Sequence, residues 1–470
     1  GLSHMPRWVD VPLHGELNKN VDGIALTSNA AAIENAFVNE MKALSRFPQL
    51  TTFATLTPQK PVYLREWRGD MYAVCGGRVY SVDMDGTVAD LTGAAVEGGK
   101  RVIFTETEDE LVMAAGRQPI KLRGELTEIL SEQAPESTHV QWASSYLLAL
   151  EKDSGRFRYS DASSFYTTWN DLSVLSAEGK PDNLVALLVT DFGELLLAGK
   201  ESIEQHNPSP SGDQPFYRQW MLGNGVYAPY TFISANNMVW GVDSKKEFLA
   251  YSTQVGNTSS SNIQSKLEQI DDWTDAWAME LPVAGHRFIV LQMPFATNDY
   301  GTKGVTYLYN YKMRKWAELF GWNEELKLPQ RWDGWSYTEI GNRKFVGGNG
   351  RIYELGGYSG DNTQKMVWRS GHIKAGSGNQ FSIEKMRLFC KRGDELLGDS
   401  PAAISVKVNK NNRGFGRWLR RNLGEVGKSN APLDFGNMGV ATSFQIEIEV
   451  TDPAQVEIAG LQLYIDMMDE

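Results

Sequence analysis

From Val62 to Tyr358 the chain alternates short runs of β-forming residues with Gly, Asn and Asp, and many of these runs carry Tyr or Trp. The first stretch is the cleanest. Val62–Trp67, Met71–Val74, Arg78–Val82 and Val88–Leu91 are four strand-like runs, cut by Arg68-Gly69-Asp70, Gly76-Gly77 and Asp83-Met84-Asp85-Gly86. Seven such units follow one another, over 62–92, 101–130, 138–175, 183–222, 228–266, 277–322 and 330–358. Each is roughly 40 residues long, the length of four short strands and their turns. Asp70–Val74 leading into Gly77–Tyr80 recurs near the far end as Arg343–Val346 leading into Gly350–Tyr353, so similar strand pairs bracket the region. This rhythm predicts a β-propeller, a radial array of four-stranded blades. The seventh unit shows only three runs, Gly334–Ile340, Lys344–Val346 and Arg351–Leu355. The β-type run Leu50–Leu56 is expected to supply the fourth, so that both ends of the array share one blade and no edge stays open.

The flanks read differently. Residues 6–60 form an arm with no clean period: Ile33, Phe37, Met41 and Leu44 fall at helical spacing, but Asn35 and Asn39 interrupt them and Phe47-Pro48 ends the stretch. Helix and irregular strand both stay open there. After Tyr358, Ser359-Gly360-Asp361-Asn362 reads as a linker and the strands lengthen into Gln380–Cys390, Ala403–Val408, Thr442–Val450 and Val456–Ile465. These predict an antiparallel β-sandwich over 359–470. Within it Phe444, Ile446, Ile448 and Val450 alternate with Gln445, Glu447 and Glu449, giving one core face and one face for solvent or a partner. The expected fold is therefore all-β, with a propeller of about seven blades over 61–358, its closing strand in the arm, and a C-terminal sandwich. Gly1–Met5 reads as an expression-tag remnant outside the fold.

Bulk properties narrow the function. A chain of 470 residues suits two or three domains, and its net charge of −12 lacks the basic excess with which non-specific duplex binders displace counterions. No apolar run is long enough to span a bilayer, so no membrane anchor is expected. Cys75 and Cys390 read as two reduced thiols, which points to assembly in the cytoplasm.

Catalytic signatures are missing. No CxxC, HExxH or HxH spacing occurs, and Asp83-Met84-Asp85-Gly86 opens like a calcium loop but lacks the ligands that complete one. There is no GxSxG elbow and no Walker lysine loop, and Gly347-Gly348-Asn349-Gly350 joins two strands rather than opening a helix. A glycosidase would need two converging carboxylates, which the sequence alone does not single out. The sequence thus gives no catalytic, cofactor-binding or metal-binding residues, and the chain is expected not to be an enzyme. One charge run stands out. Lys407, Lys410, Arg413, Arg417, Arg420, Arg421 and Lys428 share a stretch whose only acid is Glu425, with Phe415 and Trp418 interleaved. Lys407, Lys410, Arg413, Phe415, Arg417, Trp418, Arg420 and Arg421 are the candidate protein-contact residues; a solvated hairpin and a direct DNA contact are the competing readings.

Several segments, in order along the chain, resemble the packaged-DNA stabilisation proteins of short-tailed phages, also called tail accessory or head-completion proteins. They are Ser45-Arg46-Phe47-Pro48-Gln49-Leu50, Met71–Tyr80, Tyr159-Ser160-Asp161 with Trp169, Ala177–Leu187, Gly199–Glu204, Pro229-Tyr230, Val239-Trp240-Gly241, Gly414–Trp418 and Leu423-Gly424. Gln49 stands where the family usually has Gly. The resemblance implies a structural virion protein, a tail hub or plug. Its partners would be further copies of itself in a ring of six, the portal-adaptor ring above, and a tail needle or tailspike below. Packaged DNA would pass through the channel without sequence-specific binding, and an acidic wall would keep phosphates sliding. A carbohydrate-binding or glycan-hydrolysing propeller is the alternative, and a cytoplasmic scaffold propeller is a third reading.

Overall fold

A computed structural model describes residues 6–14, 20–21, 24–26, 31–163, 166–175, 183–209, 215–251, 256–257, 261–359, 364–396, 402–423 and 432–468. Among the described residues the protein is all-β apart from one short α-helix, Ser261–Glu268, which the strand pattern of the fifth unit did not announce.

The central region folds as a succession of antiparallel four-strand runs. The first comprises Val62–Trp67, Asp70–Cys75, Arg78–Val82 and Val88–Asp90. Equivalent runs extend from Ile103–Glu106 to Glu128–Ile129, from Ser137–Ala143 to Trp169–Leu175, from Leu184–Val189 to Phe216–Leu222, from Ile233–Ala235 to Gly256–Asn257 and from Trp277–Val283 to Lys315–Glu318. The last contains Ser336–Ile340, Arg343–Gly347 and Arg351–Leu355, with Leu50–Thr55 antiparallel on its edge and Leu50 opposite Leu355. Two-residue turns with both residues at positive φ set the hairpin twist. At Gly76-Gly77 (φ 56° and 83°) glycine is required twice over, because a Cβ on Gly76 would meet Pro58 at 2.5 Å and one on Gly77 would meet the Val96 carbonyl at 2.9 Å.

Each sheet packs against the next through apolar side chains, so strands such as Leu111–Ala114 and Leu195–Gly199 are buried throughout and lose the two-period alternation. Trp67 and Val79 pack with Leu111 and Met113, Val112 with Val140, Leu148 with Leu195, and Leu196 with Leu249. Trp240 and Phe248 then pack with Ile289 and Tyr309, and Phe288 with Val346. Finally Phe345, Ile352 and Ala54 pack with Val62, Leu64 and Met71, which returns to the first sheet. Hydroxyls reinforce that last junction: Ser336 Oγ donates to the Val62 carbonyl (2.7 Å) and accepts from Leu64 N (3.0 Å), and Thr338 Oγ1 accepts from Glu66 N (2.9 Å).

The chain ends build a second region together. Phe381–Leu396 and Ala454–Met467 pair along most of their length, and Arg7–Val11 and Leu44–Arg46 add to the Ala454–Met467 strand. Across from them Ser443–Val450 pairs with Ala403–Lys410, Met366–Arg369 and Ile373–Ala375. One core fills the space between, holding Trp368, Phe381, Phe435, Phe444, Ile446, Ile448, Val450 and Leu463. The arm stretch that left helix and strand open is strand: Ala32–Glu34, Ala36–Val38 and Leu44–Arg46. Asn35 takes φ 54°, and Asn39 Oδ1 accepts from Met41 N and Ala43 N, turning Met41 out to 80% exposure. Gln49 is buried without the positive φ that a glycine would serve. Arg46, buried beside it, donates through Nη1 to the Asp452 and Ala454 carbonyls and through Nη2 to the Gln364 carbonyl, which ties the arm to the C-terminal strands.

Candidate functional site

The basic run folds around the hairpin of Ala403–Lys410 and Leu419–Asn422, in which Val406 faces Leu419 and Ser405 faces Arg420. Its residues divide into two groups. Lys407 Nζ sits 5.0 Å from the Phe415 ring centre and 4.4 Å from that of Trp418, and 2.9 Å from Glu447 Oε2. That lysine and those rings therefore serve the fold's own carboxylate. Arg421 is exposed yet anchored, with Nε donating to the Asp434 carbonyl at 3.1 Å and the guanidinium 5.4 Å from the Phe435 ring. Lys410, Arg413, Arg417 and Arg420 are exposed and form no ion pair among the described residues. Lys428 and Glu425 lie outside the described residues, as do Ala177–Asp182 and the linker positions Gly360, Asp361 and Asn362.

A second site lies where the first strands of the sheets converge. All seven four-strand runs contribute to a cavity of about 610 Å³, lined among others by Leu64, Phe104, His139, Leu187, Tyr230, Ala278 and Thr338. A further cavity of about 600 Å³ has Tyr63, Arg101, Asp275, Trp277, Phe295 and Trp335 in its wall. Arg101 belongs to both walls. Its guanidinium carbon lies 3.9 Å from the Trp277 ring centre and 5.2 Å from that of Tyr63, while Nη1 donates to the Trp335 carbonyl at 2.6 Å. Trp277 and Trp335 stack at 6.3 Å, and the Arg331 guanidinium covers Trp335 at 3.9 Å. His139 stacks on Tyr230 at 5.1 Å. Burial pushes the Arg101 and Arg331 guanidinium groups down to about 10 and His139 to about 4, so the imidazole is neutral at pH 7. These stacked side chains lie along the walls of the two cavities.

The sequence reading missed this stack. A signal for it existed in the units themselves: Tyr63, His139 and Trp277 each lie at the start of a unit's first strand, and Arg101, Tyr230 and Trp335 lie just before one.

A third feature is the charged seam between the sixth run and the end region. The polar face of Ser443–Val450, expected to meet solvent or a partner, meets the protein's own side chains, and Glu447 is only 4% exposed. Arg369 and Lys407 both reach Glu447, Lys365 lies 3.6 Å from Glu449, and Lys266 lies 2.9 Å from Glu318. Glu34, opposite Glu318 in parallel register, accepts from the Tyr300 hydroxyl at 2.6 and 2.9 Å. Burial pushes the Glu34 carboxyl up to about 7 against the lowering effect of that hydrogen bond, and burial also raises Glu318 and Glu449.

Conventional reactive chemistry is sparse. Both cysteines are free, and burial raises the Cys75 thiol and takes that of Cys390 up to about 12, which keeps them protonated. Among the described residues no group of three or more His, Cys, Asp or Glu is arranged to hold a metal ion, and no helix is long and apolar enough to cross a membrane.

The family model described as bacteriophage P22 Gp10, β-propeller, matches residues 19–358. No curated protein matches the chain significantly. Among solved structures, virginiamycin B lyase from Staphylococcus aureus aligns at 10% identity over 64% of this chain and 97% of its own, with a TM-score of 0.40. YCF48 from Cyanidioschyzon merolae aligns at 12% identity over 65% of this chain and 98% of its own, also with a TM-score of 0.40.

Proposed function

Because the chain belongs to the family of the bacteriophage P22 Gp10 β-propeller, we propose that it is a structural virion protein of a short-tailed phage, a tail hub or plug that helps retain packaged DNA. The family match over 19–358 is the observation that carries this reading. In it, six copies form a ring below the portal-adaptor and seat a needle or tailspikes. The propeller has seven blades over 61–358, with Leu50–Thr55 completing the last, and residues 359–470 form a β-sandwich that the arm over 6–60 braces.

Physical features support the finer points. The packing of the last sheet on the first, Phe345 and Ile352 against Val62 and Leu64, suits a closed ring of blades. The Tyr63–Arg101–Trp277–Trp335 stack sits by the first strands of the sheets, which favours a DNA channel that runs between copies rather than through one. A net charge of −12 favours a channel along which DNA slides. The exposed cations Lys410, Arg413, Arg417 and Arg420 form the contact to a neighbouring copy or an acidic partner, while Lys407, Phe415 and Trp418 stiffen the hairpin that presents them.

The test is DNA retention by particles that lack this protein, with and without the purified chain added back. A fall in nuclease-accessible DNA on add-back is expected. Particles that neither bind the chain nor regain their DNA would overturn the reading.

A further inference from the structure

Arg46, Arg101 and Arg331 lie within the fold, and their hydrogen bonding separates them. Arg46 gives its Nη groups to three backbone carbonyls. Arg331 donates to the Gln292 side chain and to the Gly334 and Asp333 carbonyls. Arg101 makes one hydrogen bond, from Nη1 to the Trp335 carbonyl, and its Nε and Nη2 donate to nothing among the described residues. The Tyr63 and Trp277 rings lie 5.2 and 3.9 Å from its guanidinium carbon, and the Nε and Nη2 edge is left to donate. A desolvated cation in that state gains most from an anion that accepts two parallel bonds, as a carboxylate does.

The surroundings add a second, independent sign. The roughly 600 Å³ cavity in whose wall Arg101 sits is of ligand size. Lys60 and Lys100 line it together with Glu97 and Asp275, and Phe295, 45% exposed, adds a ring to the wall. An exposed phenylalanine and an underused guanidinium in one cavity wall offer one apolar platform and one charged fork.

We propose that this cavity is a binding site for a small carboxylate whose body carries a ring or apolar face, held by the free edge of Arg101 and by Phe295. Two sources share that chemistry, an acidic sugar and an aromatic acid. Site occupancy would be separate from DNA retention, so either reading can fail alone.

The test titrates the full chain with glucuronate and with benzoate, following the fluorescence of Trp277 and Trp335, with glucose and benzyl alcohol as uncharged counterparts. A saturable response to at least one acid is expected, with the counterpart at least about tenfold weaker. Saturation by glucuronate alone identifies an acidic sugar; saturation by benzoate alone identifies an aromatic acid. Arg101→Lys keeps charge but loses the fork, and is expected to weaken binding about tenfold. Phe295→Ala changes an exposed side chain that the core does not need, and is expected to weaken binding several-fold, so it serves if the arginine variant does not fold. Absence of saturation by either acid at about 10 mM, equal binding of the uncharged counterparts, or unchanged binding by the Phe295 variant would overturn the proposal.

Discussion

The sheets over 62–355 and the sheets at the chain ends are held together in opposite ways. In the central array nearly every strand pairs with its sequence neighbour through a short turn, and apolar clusters join one sheet to the next. In the end region the partners are hundreds of residues apart: Val9 lies opposite Leu463, and Gln462 Nε2 donates to Asp10 Oδ1. Its contact with the array runs through the arm, where Phe37 and Phe47 pack on Phe288 and Trp332 and buried Glu34 accepts from the Tyr300 hydroxyl. Local pairing makes each sheet cheap to close, whereas the end region closes its loops only when both termini are in place. The arm serves both, since Leu50–Thr55 completes the last sheet of the array and Leu44–Arg46 lies in the end region. It couples the stability of the two regions.

Deleting residues 6–57 is therefore the strongest way to break the comparison. The deletion removes an edge strand from the array and six strands from the end-region sheets, and is expected to abolish cooperative unfolding in a calorimetric scan. A truncated chain that melts like the full one would show that the arm is an accessory.

Two tryptophans separate the regions next. Trp368 lies at the centre of the end core and donates from Nε1 to the Leu13 carbonyl at 3.1 Å. Trp240 lies between the fifth and sixth runs, stacked on Phe248 at 5.8 Å. Replacing either by Ala should cost about 3–5 kcal/mol in denaturant unfolding. Only Trp368→Ala should also release the arm, seen as rapid proteolysis within 6–46. Equal arm cleavage in both variants would mean that the regions unfold as one.

The seam supplies a pH-dependent version of the same contrast. An unfolded glutamate ionises near its ordinary value of 4.5, while Glu34 in the folded protein keeps its proton up to about 7. Between those values the folded state binds more protons, so stability is present below the lower one and declines as pH rises through the window. Glu34→Gln keeps an acceptor for Tyr300 and removes the titration. The stability of the variant relative to wild type is expected to improve by about 2–3 kcal/mol from pH 4.5 to 7.5 in denaturant melts. A constant difference across that range would place the seam's pH response on Glu318 and Glu449 instead.

Legibility from sequence follows the same divide. The runs of the first unit could be read almost to the residue, because Gly69, Gly76 and Gly77 punctuate strands whose pairing is local. The all-β class and the phage family were legible for the same reason, through segments such as Met71–Tyr80. The pairing of Arg7–Val11 with Ala454–Met467 could not be read, since nothing local encodes a partner so distant in the chain. Glu447 looked like a surface residue because alternation cannot tell solvent from a charged neighbour on the same face. Arg101 was invisible because its importance lies in the bonds it does not make. Within the basic run, composition gave the cluster but not the partition that Glu447 imposes on it.

That partition gives the smallest effect on stability and the cleanest test of the hairpin. Arg417 and Arg420 are exposed and form no ion pair among the described residues, so reversing both to Glu should change unfolding by no more than about 0.5 kcal/mol. Lys407 differs, because it shares Glu447 with Arg369 and lies over two rings. Reversing it sets two carboxylates against each other at a nearly buried site, and should cost several times more. Assembly should sort the variants the other way. The Arg417 and Arg420 reversals should lower ring formation or attachment to particles, measured by sedimentation, while their melting stays unchanged. If attachment also stays unchanged, the outward cations are solvated charge, and the aromatic residues beside them exist only to seat Lys407.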